Sequence, residues 1–272
     1  MIESFAKAVL AEDLGRGDLF ERVAEPKKAA AKIVAKSDAI LAGVIYADAI
    51  AKELGLEIVW QKSDGETFEK GDIIARIYGD AISLLKAERA LLNTILHASS
   101  IATKAREFVE ASGGKIKVLD TRKTRPLLRE FEKYAARVGG VVNHRMGLDD
   151  CLMLKDTHLA VLDEDFEEFM QKARQKIPFT AKIEVECEDF AMAKRAMEAG
   201  ADIVMCDNMS PDEIKQVVEY RNQNHPHVLL EASGNITRET IKIYADLGID
   251  AISSGSIMHQ ATWPDISMKI EV

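Results

Sequence analysis

The sequence lacks the usual marks of a secreted, membrane-bound or nucleic-acid-binding protein. Its 272 residues include three cysteines, Cys151, Cys187 and Cys206, at no Cys-x-x-Cys spacing. Each lies in or beside an apolar run. They read as buried thiols in a reducing cytosol, not as a disulfide framework or a cysteine metal site. No uninterrupted apolar segment approaches the roughly 18–20 residues of a membrane helix. The N-terminal Met1-Ile2-Glu3-Ser4 has neither the basic flank nor the long apolar stretch of a secretory signal. Basic charge is also short: 36 Lys plus Arg stand against 45 Asp plus Glu, a formal net charge of −9. Neutralising a phosphate backbone needs a broad basic surface, so general nucleic-acid binding is not expected. With 47% apolar and 30% charged residues, the chain reads as a cytoplasmic globular protein long enough for one or two domains.

Against this acidic background, Asp120-Thr121-Arg122-Lys123-Thr124-Arg125-Pro126-Leu127-Leu128-Arg129 stands out. A short apolar run (Ile116, Val118, Leu119) precedes it, and four basic residues follow with no acid between them. A compact cationic cluster in an acidic chain suggests a site built for an anion. A solvated basic turn is the plainer alternative.

The first hundred residues read as a small α+β domain. Phe5, Val9 and Leu10 give 2–12 helical spacing, and a turn-rich acidic loop follows at 12–18. Strands are expected at 30–36 and 56–60, a helix at 43–54, and β alternation over 65–77. The last stretch is similar to the hairpins of biotinyl and lipoyl carriers, but no lysine stands at a hairpin tip, which favours a structural role. From 81 to about 112, Leu84, Leu85, Leu91, Leu92, Ile95 and Leu96 recur at helical spacing, with Glu88 and Arg89 interrupting. Gly113-Gly114 ends that helix.

After Gly114 the chain becomes rhythmic. Apolar runs at 116–120, 152–156, 183–186, 203–207, 228–232 and 251–255 alternate with helical patterns at 163–175, 188–199, 210–222 and 237–247. Ser210-Pro211 opens one of these helices as a cap with proline at its first position. Such alternation means a mainly parallel sheet with right-handed crossovers. A doubly wound sheet and a barrel both fit. No Gly-x-Gly-x-x-Gly follows the first strand, and polar residues end nearly every strand, which favours a barrel whose strand ends converge on one face. Six strands fall short of a full eightfold barrel.

The converging residues form three chemical groups. Arg122, Lys123, His144, Arg145 and Lys155 could clamp a carboxylate-rich substrate. Glu186 and Asp207 are paired carboxylates suited to Mg²⁺, to ribose hydroxyls or to a developing cation. Ser233-Gly234 and Ser254-Gly255 offer backbone N–H groups of the kind that hold phosphate late in a barrel. Lys123, Lys155 and Lys182 also leave open a Schiff-base aldolase.

The motifs Glu12-Asp13 with Gly17-Asp18, Glu88-Arg89 with Leu91-Leu92-Asn93, Asp120-Thr121-Arg122-Lys123-Thr124, Asn143-His144-Arg145, Lys155-Asp156 with His158, Glu184-Val185-Glu186, Asp207-Asn208, Glu231-Ala232-Ser233-Gly234 and Ile252-Ser253 with Gly255 occur in order along the whole chain. In this order and spacing the chain resembles the quinolinate phosphoribosyltransferases. The resemblance implies an α/β fold: an N-terminal α/β sandwich domain at 1–112, an incomplete parallel α/β barrel at 113–259, and a tail at 260–272 that returns to the first domain. It implies transfer of a phosphoribosyl group from phosphoribosyl pyrophosphate to quinolinate, with Mg²⁺ and loss of CO₂. By the same resemblance Arg122, His144, Arg145 and Lys155 bind the two quinolinate carboxylates, Lys123 stands between that pocket and the phosphoribosyl donor, and Thr121 is a further substrate-binding residue. Glu186 and Asp207 serve ribose and Mg²⁺, with Lys123, Glu186 and Asp207 as catalytic groups. Ser233, Gly234, Gly255 and His259 hold the 5′-phosphate region, and Asn235 and Ser254 are further substrate-binding residues. Arg89 reaches a neighbouring subunit's pocket, which implies at least a homodimer. Phe20, Thr157 and Asn235 depart from the usual pattern. The last replaces a frequent glycine, and asparagine tolerates left-handed backbone better than most residues.

Overall fold

The computed structural model describes residues 2–271. It divides into two compact units. One takes the chain up to Arg106 together with Tyr134–Gly140 and the stretch from Ala261; the other takes Glu107–Lys133 and Val141–Gln260.

The first unit is built on a four-stranded antiparallel sheet. Its chain runs α1 (Ile2–Leu14), a single 3-10 turn (Phe20–Arg22), β1 (Lys28–Ala35), β2 (Ala39–Ile40), α2 (Val44–Glu53), β3 (Glu57–Trp60), β4 (Thr67–Phe68), β5 (Ile73–Asp80) and most of α3 (Ala81–Ala111). The C-terminal strand β12 (Ile266–Glu271) pairs with β1, giving the order β12-β1-β5-β3. Alternation in β1 turns Ala31, Ile33 and Ala35 inward, and they join the core with Ile74 and Ile77 of β5 and Leu84, Leu91 and Ile95 of α3. The tail is further tied at its end, where Glu271 pairs with Lys32 at 2.5 Å and Arg76 at 3.0 Å. The 65–77 stretch is structural: β4 pairs with β2, and β5 lies between β1 and β3. Gly139 approaches α3 closely: a Cβ there would lie 2.3 Å from the Ala102 carbonyl oxygen. No helix among the described residues is long and apolar enough to cross a membrane.

The second unit is an open parallel α/β barrel. After β6 (Lys117–Leu119) come the first turns of α4 (Arg129–Val138, whose residues from Tyr134 on belong to the first unit), β7 (Cys151–Leu154), α5 (Asp156–Leu159), α6 (Phe166–Lys176), β8 (Lys182–Cys187), α7 (Phe190–Glu198), β9 (Ile203–Asp207), α8 (Pro211–Asn224), β10 (Leu229–Ser233), α9 (Ile241–Ala245), β11 (Ala251–Ser253) and α10 (Ser256–His259). The six strands run in the order β6-β11-β10-β9-β8-β7. β6 and β7 are the two edges. Beside β6, among the described residues, one isolated parallel bridge joins Leu119 to Val142. Local signals start the helices: Ser210 and Glu213 form a capping box ahead of Pro211, and Asp165 and Asp189 cap α6 and α7. α4 was not expected from the sequence. Its run Arg-Glu-Phe-Glu-Lys-Tyr is dense in charge, yet Glu132 and Lys133 are buried.

Candidate active site

Strand periodicity builds the site. Successive side chains alternate faces, so Cys151, Met153 and Lys155 share one face of the β7 line, Glu184 and Glu186 one face of β8, Met205 and Asp207 one face of β9, and Glu231 and Ser233 one face of β10. The parallel registers set Met153 beside Glu184, Glu186 beside Met205, and Ser233 beside Asp207. The upper members of these series open onto one cavity of about 330 Å³. Thr121, Arg122, Lys123, His144, Arg145, Lys155, Glu186, Asp207 and Ser233 line it, together with Met153, Met205 and Ser253. The two methionines were not singled out from the sequence. The period-two rule applied to 153–155 and 205–207 places them just below Lys155 and Asp207.

The cations are unevenly compensated. Lys155 is ion-paired with Glu186. Arg122 and Arg145 make no salt bridge among the described residues, and the Arg122 Nε is buried without a hydrogen-bond partner. Burial pulls the Arg122 pKa down, and the charges of Arg145 and Arg129 add to that pull. The Arg145 guanidinium rests on the Cys151 carbonyl oxygen at 3.1 Å and the Met153 sulfur at 3.4 Å. Guanidinium groups crowded together without acids form an anion site. Arg125 and Arg129, from the same cluster, are held by the protein. Arg125 Nη1 donates to Glu132 at 2.8 Å, and Arg129 Nη1 donates to the Met146 carbonyl at 3.0 Å.

Behind His144, which lines the cavity, lie the buried Glu184 and Glu231. His144 Nε2 is 3.3 Å from a carboxylate oxygen of each glutamate. The Arg145 amide donates to Nδ1 at 2.7 Å, which leaves Nε2 as the proton-bearing nitrogen between the carboxylates. A metal-bound imidazole donates its second N–H to an acceptor. Here that nitrogen faces a donor, so the triad is a proton-holding group and not a metal site. Burial pulls the His144 pKa down, but the hydrogen bonds and charges of Glu184 and Glu231 more than offset it and push it up to about 10. Burial also pushes Glu231 up. The triad therefore holds an extra proton as a unit above the ordinary histidine and carboxylate ranges. Raised folded-state pKa values have one sign. The stability they contribute is complete below the unfolded pKa, about 6.5 for histidine, and is lost as pH rises. The wild-type melting temperature is therefore expected to fall between about pH 6.5 and about pH 10, and Glu231→Gln to flatten that fall. Parallel slopes for the two proteins would remove Glu231 from the effect.

The late loops are tight. Gly234 has φ 89°, and a Cβ on it would meet Asn208 Oδ1 at 2.2 Å. Asn235 takes a left-handed φ of 50°, and its Nδ2 donates to Asn208 Oδ1 at 3.0 Å. Asparagine thus supports the backbone that a second glycine would give. A Cβ on Gly255 would lie 2.6 Å from Lys123 Cδ and 3.4 Å from His259 Nε2, so the lysine stem passes directly over this glycine. Ser254 turns its hydroxyl inward, donating to the Ile236 carbonyl at 3.1 Å. Gly234, Asn235, Ser254, Gly255 and His259 are therefore at or behind the late loops and not on the cavity wall itself. Arg89 belongs to the other unit. It is exposed on α3, 3.7 Å from Glu88. Burial pushes the Cys151 and Cys206 thiols up to about 12 and Cys187 higher still, so all three stay protonated; Cys187 and Cys206 are buried as expected, whereas Cys151 at the start of β7 is only half-buried.

An open parallel barrel with a cationic cavity and two carboxylates at its strand ends defines a class, an α/β-barrel enzyme acting on an anionic substrate. The sequence narrows it. Residues 18–99 match the profile of the quinolinate phosphoribosyl transferase N-terminal domain, and residues 101–269 match that of its C-terminal domain. The chain belongs to the quinolinate phosphoribosyltransferase family. It is 40% identical over 267 residues to the probable nicotinate-nucleotide pyrophosphorylase [carboxylating] of Bacillus subtilis, covering 95% of this chain and 90% of that protein. It is 38% identical over 250 residues to the human nicotinate-nucleotide pyrophosphorylase [carboxylating], covering 91% of this chain and 83% of that one. The crystal structure of NadC from Streptococcus pyogenes superposes with a TM-score of 0.93 at 39% identity, covering 99% of this chain and 96% of that chain.

Proposed function

We propose that the protein transfers the phosphoribosyl group of phosphoribosyl pyrophosphate to quinolinate. The products are nicotinate mononucleotide, pyrophosphate and CO₂, a cytoplasmic step of NAD biosynthesis. The observation that carries this reading is the cavity's cation set. Arg122, Lys123, Arg145 and Lys155 all line the cavity, and Arg122 keeps an unpartnered guanidinium nitrogen. Two adjacent carboxylates on a pyridine ring fit such a set, with guanidinium groups giving paired contacts and lysine a point charge. Met153 and Met205 supply polarizable contacts for the ring faces. His144, as a carboxylate ligand, exchanges one of its protein partners for substrate.

Glu186 and Asp207 line the same cavity, Glu186 beside Lys155, and serve the ribose hydroxyls. Two hard carboxylate donors also fit Mg²⁺, which takes one or two carboxylates and completes its shell with water and substrate phosphate. When bound, the ion neutralises charge developing on the departing pyrophosphate. Ser233, Gly234, Asn235, Ser254, Gly255 and His259 frame the 5′-phosphate, chiefly through backbone N–H groups.

The chain's own contribution has three parts. The cationic wall, with Thr121, fixes the quinolinate nitrogen toward the anomeric carbon, an orientation effect. Glu186 and Asp207 stabilise the oxocarbenium-like ribose as the C–O bond to pyrophosphate breaks. Quaternising the ring nitrogen then lets the 2-carboxylate leave as CO₂, because the electron pair left on C2 is stabilised by the adjacent positive nitrogen until C2 takes a proton from water. Lys123 stands between the dicarboxylate and the phosphoribosyl donor. Arg89, exposed on α3, completes the pocket of a neighbouring subunit in a homodimer or larger assembly.

A product assay tests the reading. Purified protein is given quinolinate or nicotinate, each with phosphoribosyl pyrophosphate and Mg²⁺. Turnover with quinolinate and little with nicotinate is expected, since the second carboxylate matches the extra cations. Turnover with nicotinate alone would overturn it.

A further inference from the structure

Helix α4 carries a lysine into the interior. Lys133 and Asp120 are both fully buried, with Nζ 2.5 Å from Asp120 Oδ1. Nζ also donates to the His144 carbonyl at 2.8 Å. The His144 amide donates to Asp120 Oδ1 at 2.9 Å. The ion pair therefore grips both backbone polar groups of His144. Asn143 Nδ2 donates to Asp120 Oδ2 and also, at 3.0 Å, to the Lys133 carbonyl. Both carboxylate oxygens of Asp120 are thereby satisfied.

The place of this cluster matters more than its strength. It sits at the end of the edge strand β6, joining Asp120 to the Asn143-His144 backbone. On one side, Asp120 leads directly into Thr121-Arg122-Lys123. On the other, Asn143 leads into His144-Arg145. These are the two cationic walls of the cavity. They repel, since the charge of Arg145 opposes that of Arg122. The sheet offers little to hold them together: Val142 donates to Val118 at 2.9 Å, and Asp120 donates to Val142 at 3.3 Å. A well-packed apolar pair could fill the same space at similar stability. It could not bind the amide and the carbonyl of His144 together.

We propose that Lys133, acting with Asp120 and Asn143, is a positioning residue of the dicarboxylate pocket. The clamp sets the separation between the Arg122–Lys123 wall and the His144–Arg145 wall, and so the affinity for the second carboxylate. The proposal rests on the functional reading above. It predicts a selective defect, because the phosphoribosyl side of the cavity hangs on β8, β9 and β10, which the clamp does not touch.

Two variants are compared, Asn143→Ala and the charge-free double variant Asp120→Asn/Lys133→Met. Each substrate is varied at saturation of the other, with thermal melting measured alongside. The KM for quinolinate is expected to rise about tenfold or more while the KM for phosphoribosyl pyrophosphate stays within about twofold. Folded variants whose quinolinate KM stays near wild type, or whose two KM values rise together, would overturn the proposal. If the double variant does not fold, Asn143→Ala decides, since it removes the hydrogen bonds to Asp120 and to the Lys133 carbonyl without removing a charge. Amide hydrogen exchange without substrate separates this idea from the functional reading. The His144 amide is expected to exchange slowly in the wild type and about tenfold faster or more in Asn143→Ala. Unchanged exchange overturns the clamp. Faster exchange in a protein whose wild type takes no quinolinate overturns the functional reading alone.

Discussion

Lys123→Ala is expected to lower turnover by about 10²- to 10³-fold while the fold stays intact. The side chain lies on the cavity wall, and its stem crosses Gly255 on the way. It makes no ion pair among the described residues, so its removal strands no buried acid. The loss is therefore one of transition-state charge stabilisation, and it appears in kcat with little change in melting temperature. Arg145→Ala is expected to act on the other side of the cavity. Losing a guanidinium that binds a carboxylate through charged hydrogen bonds of about 1.5–3 kcal/mol each lowers kcat/KM for quinolinate by about two orders of magnitude. Wild-type-like rates in purified Lys123→Ala would remove that residue from the mechanism.

The second large effect is on stability. Lys133→Met is expected to destabilise the protein by about 3–5 kcal/mol, because Asp120 keeps its charge at a fully buried position with its principal partner gone. Adding Asp120→Asn to that variant is expected to recover most of the loss, since no bare charge then remains. The two effects are far from additive, as a shared ion pair requires. Denaturant midpoints of the wild type, both single variants and the double variant give the cycle. Additive losses would show that the two groups are stabilised separately.

Much of the barrel was legible because its signals are local and periodic. The six parallel strands fall where apolar runs end in a polar residue, and Ser210-Pro211-Asp212-Glu213 is the expected cap. The division of the basic cluster was also legible in part. Arg122 and Lys123 line the cavity, whereas Arg125 and Arg129 bind Glu132 and Met146. Other features depend on contacts far apart in sequence. Lys133 reads as a surface charge within Glu132-Lys133-Tyr134, and only Asp120 and the His144 backbone explain its burial. Glu184 and Glu231 are separated by 47 residues in the chain, yet both reach His144 Nε2. The antiparallel place of β12 beside β1 joins opposite ends of the chain. No window of sequence contains that pairing, and the tail's return was expected from the family resemblance alone.

The most direct test of the central claim is CO₂ release from quinolinate labelled at its 2-carboxyl carbon. In the proposed reaction, loss of that carboxylate follows attachment of the ring nitrogen to ribose. Labelled CO₂ is expected to appear only when phosphoribosyl pyrophosphate is present, in step with pyrophosphate and one equivalent of nicotinate mononucleotide. Label retained in a nucleotide product, or released without the phosphoribosyl donor, would contradict the account.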